Sequence, residues 1–254
     1  MGQAEIKKMD NGLSRHLNDI GIQCVVAAGG SGTRLRLLTE EIPKPMVPIL
    51  GMPFLYWLIT RIIRQGIRQF VILTGYHAER IVSYFGDGAG LGCSIVYSTS
   101  DHPLGSGGAL WAAREILEEE FLFINGDDYP EINYAELIGD FRQRGALAMV
   151  AVCKDPRGQL AIDEETGFVR QYLPSACLPY LDCGTKAFRK SVLDLIDIEP
   201  PFTLEPEFWP LLIAKQQLVA FQLESRPHAI DTVDGIRAFE GWLKQQRSKP
   251  GDGL

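Results

Sequence analysis

The stretch Cys24-Val-Val-Ala-Ala-Gly-Gly-Ser-Gly-Thr-Arg34, followed ten residues later by Pro43-Lys44-Pro45, decides how this chain is read. A short apolar run empties into a glycine turn that carries a guanidinium, and an ammonium clamped between prolines comes next. Glycine has no Cβ, so Gly29, Gly30 and Gly32 let backbone N–H groups converge on an anion, and the dipole of a following helix would add to the attraction. No Gly-Lys-Ser/Thr closes the turn, so it is not a Walker A loop, and it lacks the G-x-G-x-x-G dinucleotide pattern. Standing alone it is also compatible with a plain strand-to-helix turn bearing a surface arginine.

Working outward, apolar runs over 24–28, 70–74, 93–97, 121–125 and 146–153 read as strands. Between them, helical spacing marks 54–63, where Leu55, Leu58, Ile59, Ile62 and Ile63 share a face, with Pro53 at its start and Gly66 at its stop. Further helices are expected over 77–85, 106–117, 133–144, 203–214 and 233–246, a hairpin over 160–170, and irregular chain over 171–184. Continuous apolar strands alternating with helices indicate an α/β fold with a Rossmann-like, mostly parallel sheet covered on both faces. In such sheets ligands bind beyond the carboxyl ends of the strands, where both the glycine turn and Gly126-Asp127 fall.

At 254 residues and 46% hydrophobic content, the chain suits one large domain over 21–247, after a polar tail over 1–20. Its nucleotide-binding half is expected over 21–145 and its acceptor-binding half over 146–247. A net charge of −7 argues against nucleic acid or an anionic membrane as partner, so phosphate affinity has to be local, as at Arg34, Arg36 and Lys44. Five cysteines form no C-x-x-C pair, and neither a signal-peptide core nor an apolar run of about eighteen residues occurs. A reducing cytoplasm is the expected setting. Homo-oligomerisation is left open.

The whole string Ala27-Ala-Gly-Gly-Ser-Gly-Thr-Arg-Leu35 with Pro43-Lys-Pro-Met-Val-Pro-Ile49 resembles the signature of the sugar-phosphate nucleotidyltransferases, the NDP-sugar pyrophosphorylases. Gly51-Met-Pro-Phe-Leu55, Pro103-Leu-Gly-Ser-Gly-Gly108 and Asn125-Gly-Asp127 continue the resemblance in order, from about Gln23 to about Asp231. It looks closest to the compact bacterial branch with heptose-1-phosphate guanylyltransferases and N-acetylmuramate-1-phosphate uridylyltransferases. The resemblance implies the nucleotide-diphospho-sugar transferase fold, and a nucleoside triphosphate and a sugar 1-phosphate as substrates. It also implies Mg²⁺ as cofactor. Arg34 and Lys44 would act on the phosphates as catalytic cations. Ala28, Gly29, Gly30, Gly32, Thr33, Ser98, Gly105, Ser106 and Gly107 would line the nucleotide, and Asp127 and Asp231 would hold the metal. The acceptor phosphate is mostly dianionic at neutral pH, its second pKa being about 6, so no general base is required. Positioning and electrostatics then carry the reaction.

Several of these residues have ordinary structural readings. Asp127 suits a turn, Asp231 and Ser106 suit helix caps, and Glu205 suits the first turn of its helix. Asp128 should face away from Asp127, since neighbouring strand residues alternate.

The chain departs from the family pattern on the acceptor side. The usual Glu-Lys pair is missing from Val169-Arg-Gln-Tyr-Leu-Pro174, and the sugar-site asparagine is replaced by Asp182, although Glu205 matches. Either Arg157, Arg170 or Lys186 supplies the missing cation, each of which singly reads as a surface charge, or the acceptor is unusual, or activity is lost. Three functions therefore stay open: a sugar-1-phosphate nucleotidyltransferase, of which a heptose 1-phosphate guanylyltransferase is one instance; a catalytically silent nucleotide-binding regulatory subunit; and an enzyme for a cyclitol or amino-alcohol phosphate.

Overall fold

The computed structural model describes residues 19–30 and 41–248. In chain order come β1 (Gln23–Ala27), β2 (Pro48–Ile49), β3 (Met52–Pro53), α1 (Phe54–Arg64), β4 (Gln69–Thr74), α2 (Ala78–Phe85) and β5 (Ser94–Thr99). Then follow α3 (Gly105–Ala112), β6 (Glu120–Asn125), β7 (Asp128–Tyr129), α4 (Tyr134–Arg144), β8 (Ala148–Gly158), β9 (Leu160–Ile162) and β10 (Val169–Tyr172). The chain continues with β11 (Leu178–Arg189), α5 (Leu204–Ala214), β12 (Leu218–Leu223), β13 (His228–Ala229) and α6 (Val233–Arg247).

β5, β4, β1 and β6 lie side by side and parallel, with Ala27 level with Leu73 on one side and Asn125 on the other. This common register aligns the segments after β1, β4 and β6 at one rim. β11 then runs antiparallel to β6 and β8, while β12 closes the far edge parallel to β8. The sheet is thus continuous through both expected halves of the chain.

Both faces of β1 are buried, which is why its sequence shows no polar alternation. Cys24 and Val26 pack with Phe54 and Leu58 of α1, Phe141 of α4 and Phe239 of α6. Val25 faces the other way, toward Leu110 of α3 and Phe208 and Trp209 of α5. α1 starts after Pro53 and stops at Gly66, whose φ of +89° a side chain would resist. All five cysteines are free, and among the described residues no helix is long and apolar enough to cross a membrane.

Two expectations need correction. The helix foreseen over 106–117 ends at Ala112 and gives way to a 3-10 turn at Arg114–Ile116. More consequentially, 171–184 is not all irregular: β10 reaches Tyr172, and β11 begins at Leu178 and supplies the inner antiparallel strand. Pro179 and Gly184 disguised β11 as loop. The pairing with β8 slips between Asp182 and Lys186, with Gly184 at a φ of +74°, so the strand is bulged where its sequence looks least like a strand.

Candidate active site

Lys44 opens a 3-10 turn, Lys44–Met46, braced by hydrogen bonds from Met46 N to Pro43 O and from Val47 N to Lys44 O. The flanking prolines fix this turn and leave the lysine stem one direction to run. Its Nζ reaches Asp127 Oδ2 and Asp231 Oδ1, each at 2.5 Å. The lysine side chain is 10% exposed against 35% and 37% for the two carboxylates, so the ammonium is enclosed and the carboxylates are part-exposed. Burial works against the lysine's charge, but the two carboxylates together raise its pKa above the ordinary value.

Asp127 lies two residues past β6, in a turn that depends on Gly126. A Cβ at Gly126 would strike the Ala27 carbonyl, and the Gly126 N–H donates to that same oxygen at 2.9 Å. Asp231 is delivered by a short ladder: β13 pairs with β7, setting Ala229 against Asp128, and Ile230 N donates to Asp127 O. The helix cap foreseen for Asp231 is made by Thr232, whose hydroxyl accepts from Gly235 N at 3.0 Å. Asp127 lies in the turn and Asp128 opens β7, so strand alternation does not relate the two; Asp128 accepts from Asn125 Nδ2 at 3.1 Å. Burial first, and the neighbouring Asp127 charge second, push its carboxyl up to about 7.

The glycine turn begins at the same rim. Ala28 N donates to Leu73 O at 2.8 Å, and Gly29 packs back to back with Gly75, its notional Cβ 3.3 Å from Thr74 C. Among the described residues nothing lies within 4 Å of a Cβ built on Gly30. Gly32, Thr33 and Arg34 lie outside the described residues.

At α3 the small residues have a structural duty. A Cβ on Gly105 would enter the Phe202 backbone, one on Gly107 would enter the Phe202 ring, and Gly107 N and Gly108 N both donate to Phe202 O at 3.1 Å. Ser106 does not cap its own helix: its hydroxyl accepts from Leu204 N at 3.0 Å and caps α5 instead. Ser98 is half-buried near the end of β5, beside Leu73.

On the acceptor side, Asp182 of β11 and Glu205 of α5 do come together, and the group between them is Lys186. Its Nζ lies 3.0 Å from Glu205 Oε1 and 3.2 Å from Asp182 Oδ1, and its side chain is 1% exposed. The surface reading of Lys186 is therefore wrong, while it holds for Arg157 and Arg170, which pair with Asp155 and Asp163. A lysine inside Gly184-Thr-Lys-Ala-Phe188, a run otherwise suited to a strand, was the available signal. Glu205 does lie in the first turn of α5, while the Thr203 hydroxyl and N–H donate to Glu207.

A parallel sheet with charged residues gathered beyond its carboxyl ends defines the class, a doubly wound α/β protein of the nucleotide-diphospho-sugar transferase fold. The chain matches the Nucleotidyl transferase family model over residues 23–159 and belongs to that family. It is 34% identical to a mannose-1-phosphate guanylyltransferase of Mycobacterium tuberculosis, over 76% of this chain and 56% of that one. It is 44% identical to a D-glycero-alpha-D-manno-heptose 1-phosphate guanylyltransferase of Aneurinibacillus thermoaerophilus, over 42% and 46%. The chain thus spans about half the length of these curated relatives. The crystal structure of HddC from Yersinia pseudotuberculosis, also known complexed with GMP-PN, superposes with a TM-score of 0.76 at 26% identity, covering 87% of this chain and 99% of that one.

Proposed function

We propose that this chain transfers a nucleotidyl group from a nucleoside triphosphate to a sugar 1-phosphate, giving an NDP-sugar and pyrophosphate. The observation that carries the reading is the convergence of Lys44, Asp127 and Asp231 at the rim where the glycine turn begins. An acceptor phosphate oxygen attacks the α-phosphorus, and the bond from that phosphorus to the oxygen bridging it to the β-phosphate breaks. In this reading Lys44 stabilises charge developing on the α-phosphate, an effect on the order of several kcal/mol in a water-poor site. Arg34 is assigned to the outer phosphates by the family resemblance alone.

The site residues fit a hard divalent cation. Two part-exposed carboxylates converge on one ammonium, and Mg²⁺ usually takes one or two carboxylates plus phosphate oxygens and water. Asp127 and Asp231 would hold it, and its charge would neutralise the phosphate oxygens.

The printed names of the relatives favour guanosine triphosphate with a heptose or mannose 1-phosphate as first substrates to offer. A pyrophosphate-release screen crossing four triphosphates with neutral sugar 1-phosphates, a cyclitol phosphate and an amino-alcohol phosphate tests the reading. Release with guanosine triphosphate and a neutral sugar phosphate supports it. Triphosphate binding without release, whatever the acceptor, identifies the silent regulatory subunit instead, and release only with a non-sugar phosphate identifies the third reading.

A further inference from the structure

Lys186 stands midway along β11, opposite Phe123 of β6 and Val150 of β8, the interior of the sheet. An ammonium there is costly unless paired, and a single carboxylate would balance its charge. It has two, from Asp182 and Glu205. Burial pushes the Asp182 carboxyl up, and the Lys186 charge acts against that shift. Asp182 Oδ1 accepts from Lys186 and from Gly184 N, but Asp182 Oδ2 is buried with no hydrogen-bond partner. A buried carboxylate oxygen without a donor costs stability, and its persistence marks a place where a donor from outside belongs.

The triad borders the proposed reaction centre. Gly184, between Asp182 and Lys186, presses on Asp128 so closely that a Cβ there would overlap the Asp128 carboxylate, and Asp128 is the neighbour of Asp127. Tyr172 of β10 adds a hydroxyl close enough to feel the charges of Glu205 and Asp182, which, behind burial, push it up to about 12 and keep it protonated at neutral pH. For Glu205 burial acts upward, but the Lys186 charge and hydrogen bond hold it below the usual carboxylate range.

Resting on the proposed function, we infer that Lys186 is a positioning residue for the acceptor. It clamps Asp182 and Glu205 as a fixed pair, Asp182 Oδ2 buried without a partner and the Glu205 side chain part-exposed. The pair therefore selects a phosphorylated molecule whose body presents donors, hydroxyl or ammonium, and rejects one whose body carries a carboxylate. This is a different solution from a lysine placed after the hairpin: two carboxylates, Asp182 and Glu205, pair with Lys186, so the cation is engaged in orienting acidic groups and not in holding the acceptor's phosphate.

The test is steady-state kinetics of the full chain with a neutral sugar 1-phosphate, an amino-sugar 1-phosphate and a uronic acid 1-phosphate, alongside calorimetry of triphosphate binding. Lys186→Met is expected to raise the acceptor KM roughly 10-fold or more, to change kcat by less than about 3-fold and to leave triphosphate affinity unchanged, with Lys186→Arg restoring part of the loss. Because Lys186→Met leaves two like charges buried together, the double variant Asp182→Asn with Lys186→Met serves as the folded alternative and should show the same KM rise. The neutral and amino-sugar arms tell hydroxyl donors from ammonium donors. A folded variant with an unchanged acceptor KM, or wild-type turnover of the uronic acid as efficient as that of the neutral sugar, overturns the inference. Absence of pyrophosphate from the wild type with every acceptor overturns the proposed function itself, and this inference with it.

Discussion

Lys44 and Asp231 are 187 residues apart in sequence and 2.5 Å apart in space, with Asp127 closing the same contact from the other side. The ammonium thus occupies the point that the two carboxylates share. A divalent cation held by the same two carboxylates would compete with this ammonium for them.

The first prediction concerns the metal alone. Lys44→Met removes the competing charge, so the nucleotide-free variant should bind Mn²⁺, used as a probe for Mg²⁺, more tightly than the wild type does. Isothermal calorimetry without nucleotide reads this directly, and weaker binding by the variant would argue that the carboxylates need the lysine to stay together.

Gly30 and Gly184 should behave oppositely on replacement by alanine. No described residue lies within 4 Å of a Cβ at Gly30, so Gly30→Ala should change stability by no more than about 0.5 kcal/mol yet raise the KM for the triphosphate by crowding the backbone where the anion approaches. Gly184→Ala meets both a positive φ and the Asp128 carboxylate, and should cost about 2 kcal/mol, lowering Tm by roughly 4–8 °C. Thermal melts and substrate titrations of the two variants separate the effects.

His228 sets a pH dependence of stability. It packs against Trp242, Phe239 and Tyr129, and burial lowers its pKa although Glu131 acts in the opposite direction. The unfolded imidazole, with a pKa of about 6.5, therefore binds protons more readily than the folded one. Its contribution is complete above that value and is lost as pH falls through it toward the folded pKa. Denaturation midpoints at pH 7.5 and 5.5 should differ less for His228→Gln than for the wild type, and an equal or larger difference would contradict the assignment.

Much of this was legible in the sequence because local chemistry and tertiary placement agree. Cys24 to Ala27 are apolar throughout because both faces of β1 are covered, and Gly126-Asp127 follows β6 at the rim that parallel topology reserves for ligands. Lys44 and Asp127 could accordingly be placed together without coordinates. β11 was not legible: a proline, a left-handed glycine and charges of both signs break the strand pattern around Lys186. Lys186 was hidden for the same reason, since its burial depends on Glu205 arriving from a helix 19 residues downstream. The glycines of α3 show the converse, a motif with a family role whose packing duty toward Phe202 appears only in three dimensions.

The central claim is that Lys44, between Asp127 and Asp231, carries nucleotidyl transfer. Pyrophosphate release from guanosine triphosphate and a sugar 1-phosphate accepted by the wild type, compared with folded Lys44→Met under the same conditions, tests it most directly. The account predicts a fall of about 10²- to 10³-fold; release at the wild-type rate from the folded variant would contradict it.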